Sequence, residues 1–130
     1  MIVLDASAAV DWLLQTRTGA LIDKRIYSRH ETLHAPQLLD LEVTQVLRRL
    51  VREGAVSDRR GDQAVQDLLA LRITRYPHDI LLRRIWQHRN NLTAYDAAYI
   101  ALAERLSAPL ITRDARLSAA AGYAAQVEVF

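Results

Sequence analysis

Asp5 ends the apolar run Met1 to Leu4, Asp114 follows the apolar run Leu110 to Thr112, and Asp96 comes three residues after Thr93 at the start of a helical stretch. Ligands of open α/β sheets gather outside the carboxyl ends of the strands, so Asp5 and Asp114 are expected at one sheet edge, with Asp96 leaning over it. The long helical stretch after Pro36 offers a fourth acid, Asp40 or Glu42; they flank its apolar stripe on opposite sides, and periodicity does not choose between them. Carboxylates drawn together cannot all stay ionised unless a cation neutralises them. With no cysteine in the chain, that cation takes oxygen or histidine ligands, which points to Mg²⁺ or Mn²⁺. One or two such ions activate water and stabilise the charge that develops at phosphorus during in-line displacement, so the chemistry to expect is phosphodiester hydrolysis. Each acid also has a structural reading. Thr93-x-x-Asp96 is close to a capping box, Asp5 is placed to cap a helix beside Ser7, and Asp114 could be a solvated loop residue.

The elements that would hold these acids are legible as a series. Met1 to Leu4 predicts a buried strand, and Val10, Leu13 and Leu14 recur at helical spacing directly after it. Thr16 to Gly19 predicts a break, followed by a helix over Ala20 to Arg29 with Leu21, Ile22 and Ile26 inward. Thr32 to Ala35 is expected as a second strand, with Pro36 as the first residue of a helix that runs to Glu53 and stops at Gly54. Its apolar stripe is Leu39, Val43, Val46, Leu47 and Leu50, and Arg48, Arg49 and Arg52 lie opposite. Ser57 opens a helix to about Leu71, Ile73 to Tyr76 predicts a third strand, and Asp79 to His88 a further helix. Thr93 is the expected N-cap of a helix packed through Ala97, Ala101 and Leu106, broken over Ser107 to Pro109 before the strand Leu110 to Thr112. Val127 to Phe130 alternates like a last strand. Short apolar runs alternating with helices imply a three-layer α/β/α fold around a small central parallel sheet, joined by crossovers of one hand.

At 130 residues the chain is expected to be a single domain, residues 1 to 130, with a real core. No apolar run is long enough to span a bilayer and the start, MIVLDAS, has no basic leader, so a cytoplasmic protein is expected. The net charge is +2, carried by 16 arginines and a single lysine. Arginine's planar fork suits phosphate, a weak pointer to nucleic acid. Rival acidic α/β sites fit poorly. A haloacid-dehalogenase-like site wants an aspartate two residues after Asp5, where Ser7 stands; a receiver domain wants a lysine after a late strand, yet the one lysine is Lys24. There is no P-loop glycine pattern. His30, His34, His78 and His88 lack a metal-ligand spacing and are expected at the surface or in structural roles.

The opening IVLDASAAV, the helix LEVTQVLRRLVREG, the block LTAYDAAYIALAERLSAPLITRDARL and the closing VEVF together resemble the PIN-domain ribonucleases, and more narrowly the VapC toxins of bacterial toxin–antitoxin pairs. The third block is the most specific. The resemblance implies a PIN-like fold and takes Glu42 rather than Asp40. The implied catalytic and metal-binding quartet is then Asp5, Glu42, Asp96 and Asp114, with Ser7 and Thr112 as neutral polar supports. It further implies Mg²⁺- or Mn²⁺-dependent endonucleolytic cleavage of RNA, an antitoxin protein that blocks the site, and a homodimer. Arg113 and Arg116, beside Asp114, are candidate RNA contacts. Trp12, Leu13 and Leu21 are candidates for an apolar grip on the antitoxin. The contrasting expectation is a PIN-like module that binds RNA or protein without catalysis.

Overall fold

A computed structural model of the chain describes residues 1–119 and 123–130. Five short strands, β1 (Ile2–Leu4), β2 (Leu33–Pro36), β3 (Ile73–Tyr76), β4 (Leu110–Thr112) and β5 (Val127–Val129), form one sheet in the order β3-β2-β1-β4-β5. Every pairing is parallel, with Val3 beside both His34 and Leu110. A sheet of this kind is covered on both faces, and the strands β1, β2 and β4 are accordingly buried throughout. Helices α1 (Ala6–Leu13), α2 (Arg17–Ser28), α3 (Leu38–Arg52), α4 (Asp58–Ala70), α5 (Leu82–Gln87), α6 (Ala94–Leu106) and α7 (Ala115–Ala119) flank it, with a 3-10 turn over Asp79–Leu81. No helix among the described residues is long and apolar enough to cross a membrane.

The strand order reverses at β1. From β1 the chain proceeds to β2 and then β3 on one side, and returns to place β4 and β5 on the other. Such a reversal opens a crevice at the carboxyl ends of the two strands that flank it. Asp5 follows β1 and Asp114 lies two residues after β4, so both stand at that crevice.

Helix α6 crosses the centre. Residues Ala97 to Ala103 are all buried, so the helix is enclosed all round rather than packed through the one face expected from Ala97, Ala101 and Leu106. Small side chains let it sit against β1, β2 and β4 on one side and α5 on another. Its start matches the sequence: Thr93 caps it by accepting the Asp96 N–H at 3.1 Å, and Asp96 is the third helical residue. Its end is a left-handed Ser107 at φ 49°.

Three boundaries differ from expectation. The break after the first helix falls at Leu14 to Thr16, and Gly19 lies inside α2. Thr16 caps α2 by accepting the Gly19 N–H, and a side chain at Gly19 would meet the Asp11 carbonyl of α1 at 2.1 Å, so this glycine serves close helix packing rather than a turn. Pro36 ends β2 opposite Tyr76 instead of opening α3. The β1–β2 pairing has by then stopped at Val3 and His34, so its missing N–H costs the sheet nothing on that side. Helix α3 begins at Leu38, whose N–H is accepted by His78 Nε2 at 2.9 Å. The third is α7, a short helix directly after Asp114 that apolar periodicity is too brief to reveal. Gly54, at φ 75°, closes α3 as expected.

Histidines serve the framework. His34 bonds the Tyr76 hydroxyl and Thr32, and His88, buried, faces Glu104 at 3.4 Å. Glu104 in turn accepts a two-pronged bond from Arg84 and the Ala124 N–H, which ties the last strand's approach to α6.

Candidate active site

The carboxyl ends of β1 and β4, the start of α6 and the first turns of α3 enclose an open cleft of about 530 Å³, lined by Asp5, Ser7, Glu42, Asp96 and Asp114 among others. Asp5 is buried and fully engaged. One carboxylate oxygen accepts from the Ser7 hydroxyl at 2.7 Å and the Ala8 N–H at 2.9 Å; the other accepts from the Thr112 hydroxyl. Asp5 thus does both jobs that its sequence position allowed, capping α1 and facing the cleft. Burial pushes its pKa up against these three bonds, and the Asp96 charge adds to the rise.

Ser7 and Thr112 bind β1 to the loop after β4. Ser7 Oγ accepts the Arg113 N–H at 2.9 Å, and Thr112 Oγ1 accepts the Asp114 N–H at 2.9 Å. A single network therefore fixes the two strand ends that carry Asp5 and Asp114.

The structure separates Asp40 from Glu42. Asp40 turns away to a two-pronged ion pair with Arg75 of β3, at 2.7 and 3.0 Å. Glu42 lines the cleft, half-buried, and accepts the Tyr99 hydroxyl at 2.6 Å. Burial raises its pKa, the Tyr99 bond opposes the rise, and the charges of Asp96 and Asp5 add to it. Asp96 is raised by burial and then by Asp114. Asp114 goes the other way: Arg116 bonds both its oxygens, at 2.5 to 3.1 Å, and holds its carboxyl below the usual range.

The four acids are close enough for each to feel the charge of another. Among the described residues, however, no three acids or histidines already converge as ligands of one metal ion. The oxygens of Asp5, Glu42 and Asp114 bond Ser7, Thr112, Tyr99 and Arg116 instead. In chemistry the set fits a hard divalent cation: carboxylates and hydroxyls alone, three of the four acids with pKa values raised by burial and by neighbouring negative charge.

Tyr99 was not singled out by sequence. Its signal was present, since Asp96 and Tyr99 are three apart on one helix and so share a face. Arg113 pairs with Asp11 and Arg116 with Asp114, and the Arg116 side chain remains 85 % exposed. Trp12 is half-buried and donates its indole N–H to Asp23 at 2.7 Å; Leu21 is exposed, whereas Leu13 is buried in the core and presents nothing to a partner. A larger hollow, about 660 Å³, lies near Trp12, Tyr27 and Arg72 at the amino ends of β2 and β3. Among the described residues its lining brings one acid, Glu31, which is tied to the amino terminus and Arg25.

The PIN domain family model matches residues 2–123. The chain is 43% identical over 129 residues to a Mycobacterium tuberculosis protein named Ribonuclease VapC12, covering 99% of this chain and 98% of that one. It is 45% identical over 118 residues to Ribonuclease VapC9 of the same organism, covering 91% and 89%. Among solved structures it resembles PAE2754 from Pyrobaculum aerophilum with a TM-score of 0.71 and 27% identity, over 98% of this chain and 83% of that one. A sheet of this order, acids at its switch point, and likeness along nearly the whole length lead to one assignment: the chain belongs to the PIN-domain family.

Proposed function

We propose that the chain is an endoribonuclease of the VapC toxin type, which hydrolyses RNA phosphodiester bonds with Mg²⁺ or Mn²⁺ held by Asp5, Glu42, Asp96 and Asp114. The observation that carries this reading is the facing of four carboxylates, from four separate elements, across one cleft at the sheet's switch point. That the relatives VapC12 and VapC9 are named ribonucleases supports RNA as the substrate. A cation bound there supplies an acidified water and neutralises charge at phosphorus. The chain's own residues do the positioning. Ser7, Thr112 and the Ala8 N–H hold Asp5 in one orientation, and Tyr99 holds Glu42. Asp96 is fixed by its place in the first turn of a buried helix. Asp114, now forked by Arg116, would hold a cation only on release from that pair.

A non-catalytic module is disfavoured because clustered acids with raised pKa values cost stability in a protein that never neutralises them. The test is incubation of mixed RNA with the purified chain in Mg²⁺, in Mn²⁺ and in chelator. Fragments that appear only with a cation support the reading; RNA left intact in every condition would remove it.

Control by a partner follows the same chemistry. Arg116 already forks both oxygens of Asp114, and an arginine from an antitoxin's extended tail would pair with the cleft acids in that way and exclude the cation. Trp12 and Leu21 would offer an amphipathic helix its apolar grip, with Leu13 confined to the core behind them. The chain would act in the cytoplasm, as a single domain and as a homodimer. Co-expression with the neighbouring gene's product checks the pairing: a complex that cuts RNA as fast as the free chain would sink it.

A further inference from the structure

The lining of the cleft is not acidic alone. Tyr95, in the first turn of α6 and next to Asp96, is 62 % exposed, and Leu41, one residue before Glu42, is 75 % exposed. Both line the cleft with Leu38, Val46 and the exposed amide of Gln45. Neither large side chain contributes to the core, and a tyrosine gains nothing in helix propensity at that position. Each is also adjacent in sequence to a quartet acid, so the helix backbone holds its Cα near the reacting centre.

Resting on the ribonuclease reading, we infer that Tyr95, backed by Leu41, is the platform on which an unpaired base of the RNA stacks beside the scissile phosphate. An acidic cleft repels the phosphate backbone until a cation is bound, so grip that does not depend on the cation must come from elsewhere. Bases have a π-face of their own, and aromatic side chains bind them through it with little regard to sequence. A base held in a helix cannot offer that face, so the platform selects unpaired nucleotides. The cleft volume, about 530 Å³, lies within the range of roughly 300–1,000 Å³ that holds a small ligand. Gln45 adds one amide that can bond a base edge, as donor or acceptor.

The test uses the full chain and a set of single-stranded RNA oligonucleotides with 2-aminopurine at each internal position in turn. Binding is followed by fluorescence in Ca²⁺, and cleavage in Mg²⁺ is measured in parallel. Stacking on Tyr95 quenches the fluorophore. Tyr95→Phe keeps the quench, whereas Tyr95→Ala loses it, weakens binding by about tenfold or more and raises KM with kcat little changed. An abasic nucleotide at the quenched position weakens binding to the parent protein and has no further effect on Tyr95→Ala. The proposal is overturned if Tyr95→Ala binds and quenches like the parent, or if its only effect is to change the oligomeric state, which would make this wall a contact between copies of the chain. Quenching without cleavage in any cation would spare the platform and remove the nuclease reading; cleavage without quenching would do the reverse.

Discussion

At the scale of single residues the site is a conflict between burial and charge, and Asp5 carries most of it. Burial raises its pKa, so the folded state holds the Asp5 proton more tightly than the unfolded chain does. The sign follows by linkage: Asp5 favours folding most below its ordinary value of 3.8, and that contribution is lost as pH rises through the higher folded value. Asn at this position keeps the cap, since Asn serves as well as Asp at an N-cap. In chelator, Asp5→Asn is therefore expected to melt above the parent at pH 7 and at nearly the parent temperature near pH 3. A variant that melts below the parent at pH 7 would mean that the Ser7, Ala8 and Thr112 bonds outweigh the repulsion. Sequence made Asp5, Asp96 and Asp114 legible because each adjoins a clear element boundary. It could not choose between Asp40 and Glu42 by periodicity, because Asp40 is removed from the cleft by Arg75, a residue 35 positions away. Tyr99 escaped for a related reason: its role depends on Glu42, brought to it only by the fold.

At the scale of elements, all five strands stand within a residue or two of the expected runs, since buried parallel strands are short, apolar and bounded by polar residues. The helices were harder to delimit. Gly19 looked like punctuation between two helices, but its role is contact: α2 crosses α1 so closely that no Cβ fits. Gly19→Ala is expected to force the Asp11 carbonyl and α1 aside and cost about 1–3 kcal/mol, typical of overpacking in a rigid place. Urea denaturation measures this, and a loss within 0 to about 0.5 kcal/mol, the usual range of surface changes, would show that the two helices slide apart freely. Pro36 misled because proline suits both a first helical turn and a strand end, and only the neighbouring register decides. The position of helix α6 is legible in the sequence but its burial is not, since its alanines read as one packing face whereas Ala97 to Ala103 are enclosed all round.

At the scale of the whole molecule, a chain with sixteen arginines and a net charge of +2 carries an acidic cleft. Electrostatic attraction to RNA would then come from the rim, and it would weaken steeply with salt. Arg113 and Arg116 stand at that rim, each already paired with an acid of this chain. Replacing both with Gln is expected to lower the slope of log affinity against log salt by about 1 to 2. An unchanged slope would leave them as partners of Asp11 and Asp114 alone.

Cleavage of a defined RNA as a function of Mn²⁺ concentration, for the parent and for Asp96→Asn, bears most directly on the four acids as a cation-dependent nuclease centre. Asp96 is half-buried, the helix is capped by the Thr93 hydroxyl, and Asn can keep the polar contact that the Asp96 side chain makes with Thr93, so circular dichroism should find the variant folded. We expect the parent to cut only when the cation is present. The variant should lose activity by more than about a hundredfold, the scale of removing one charge-stabilising group. Cleavage by folded Asp96→Asn at the parent rate, or cleavage by the parent in chelator, would contradict the assignment.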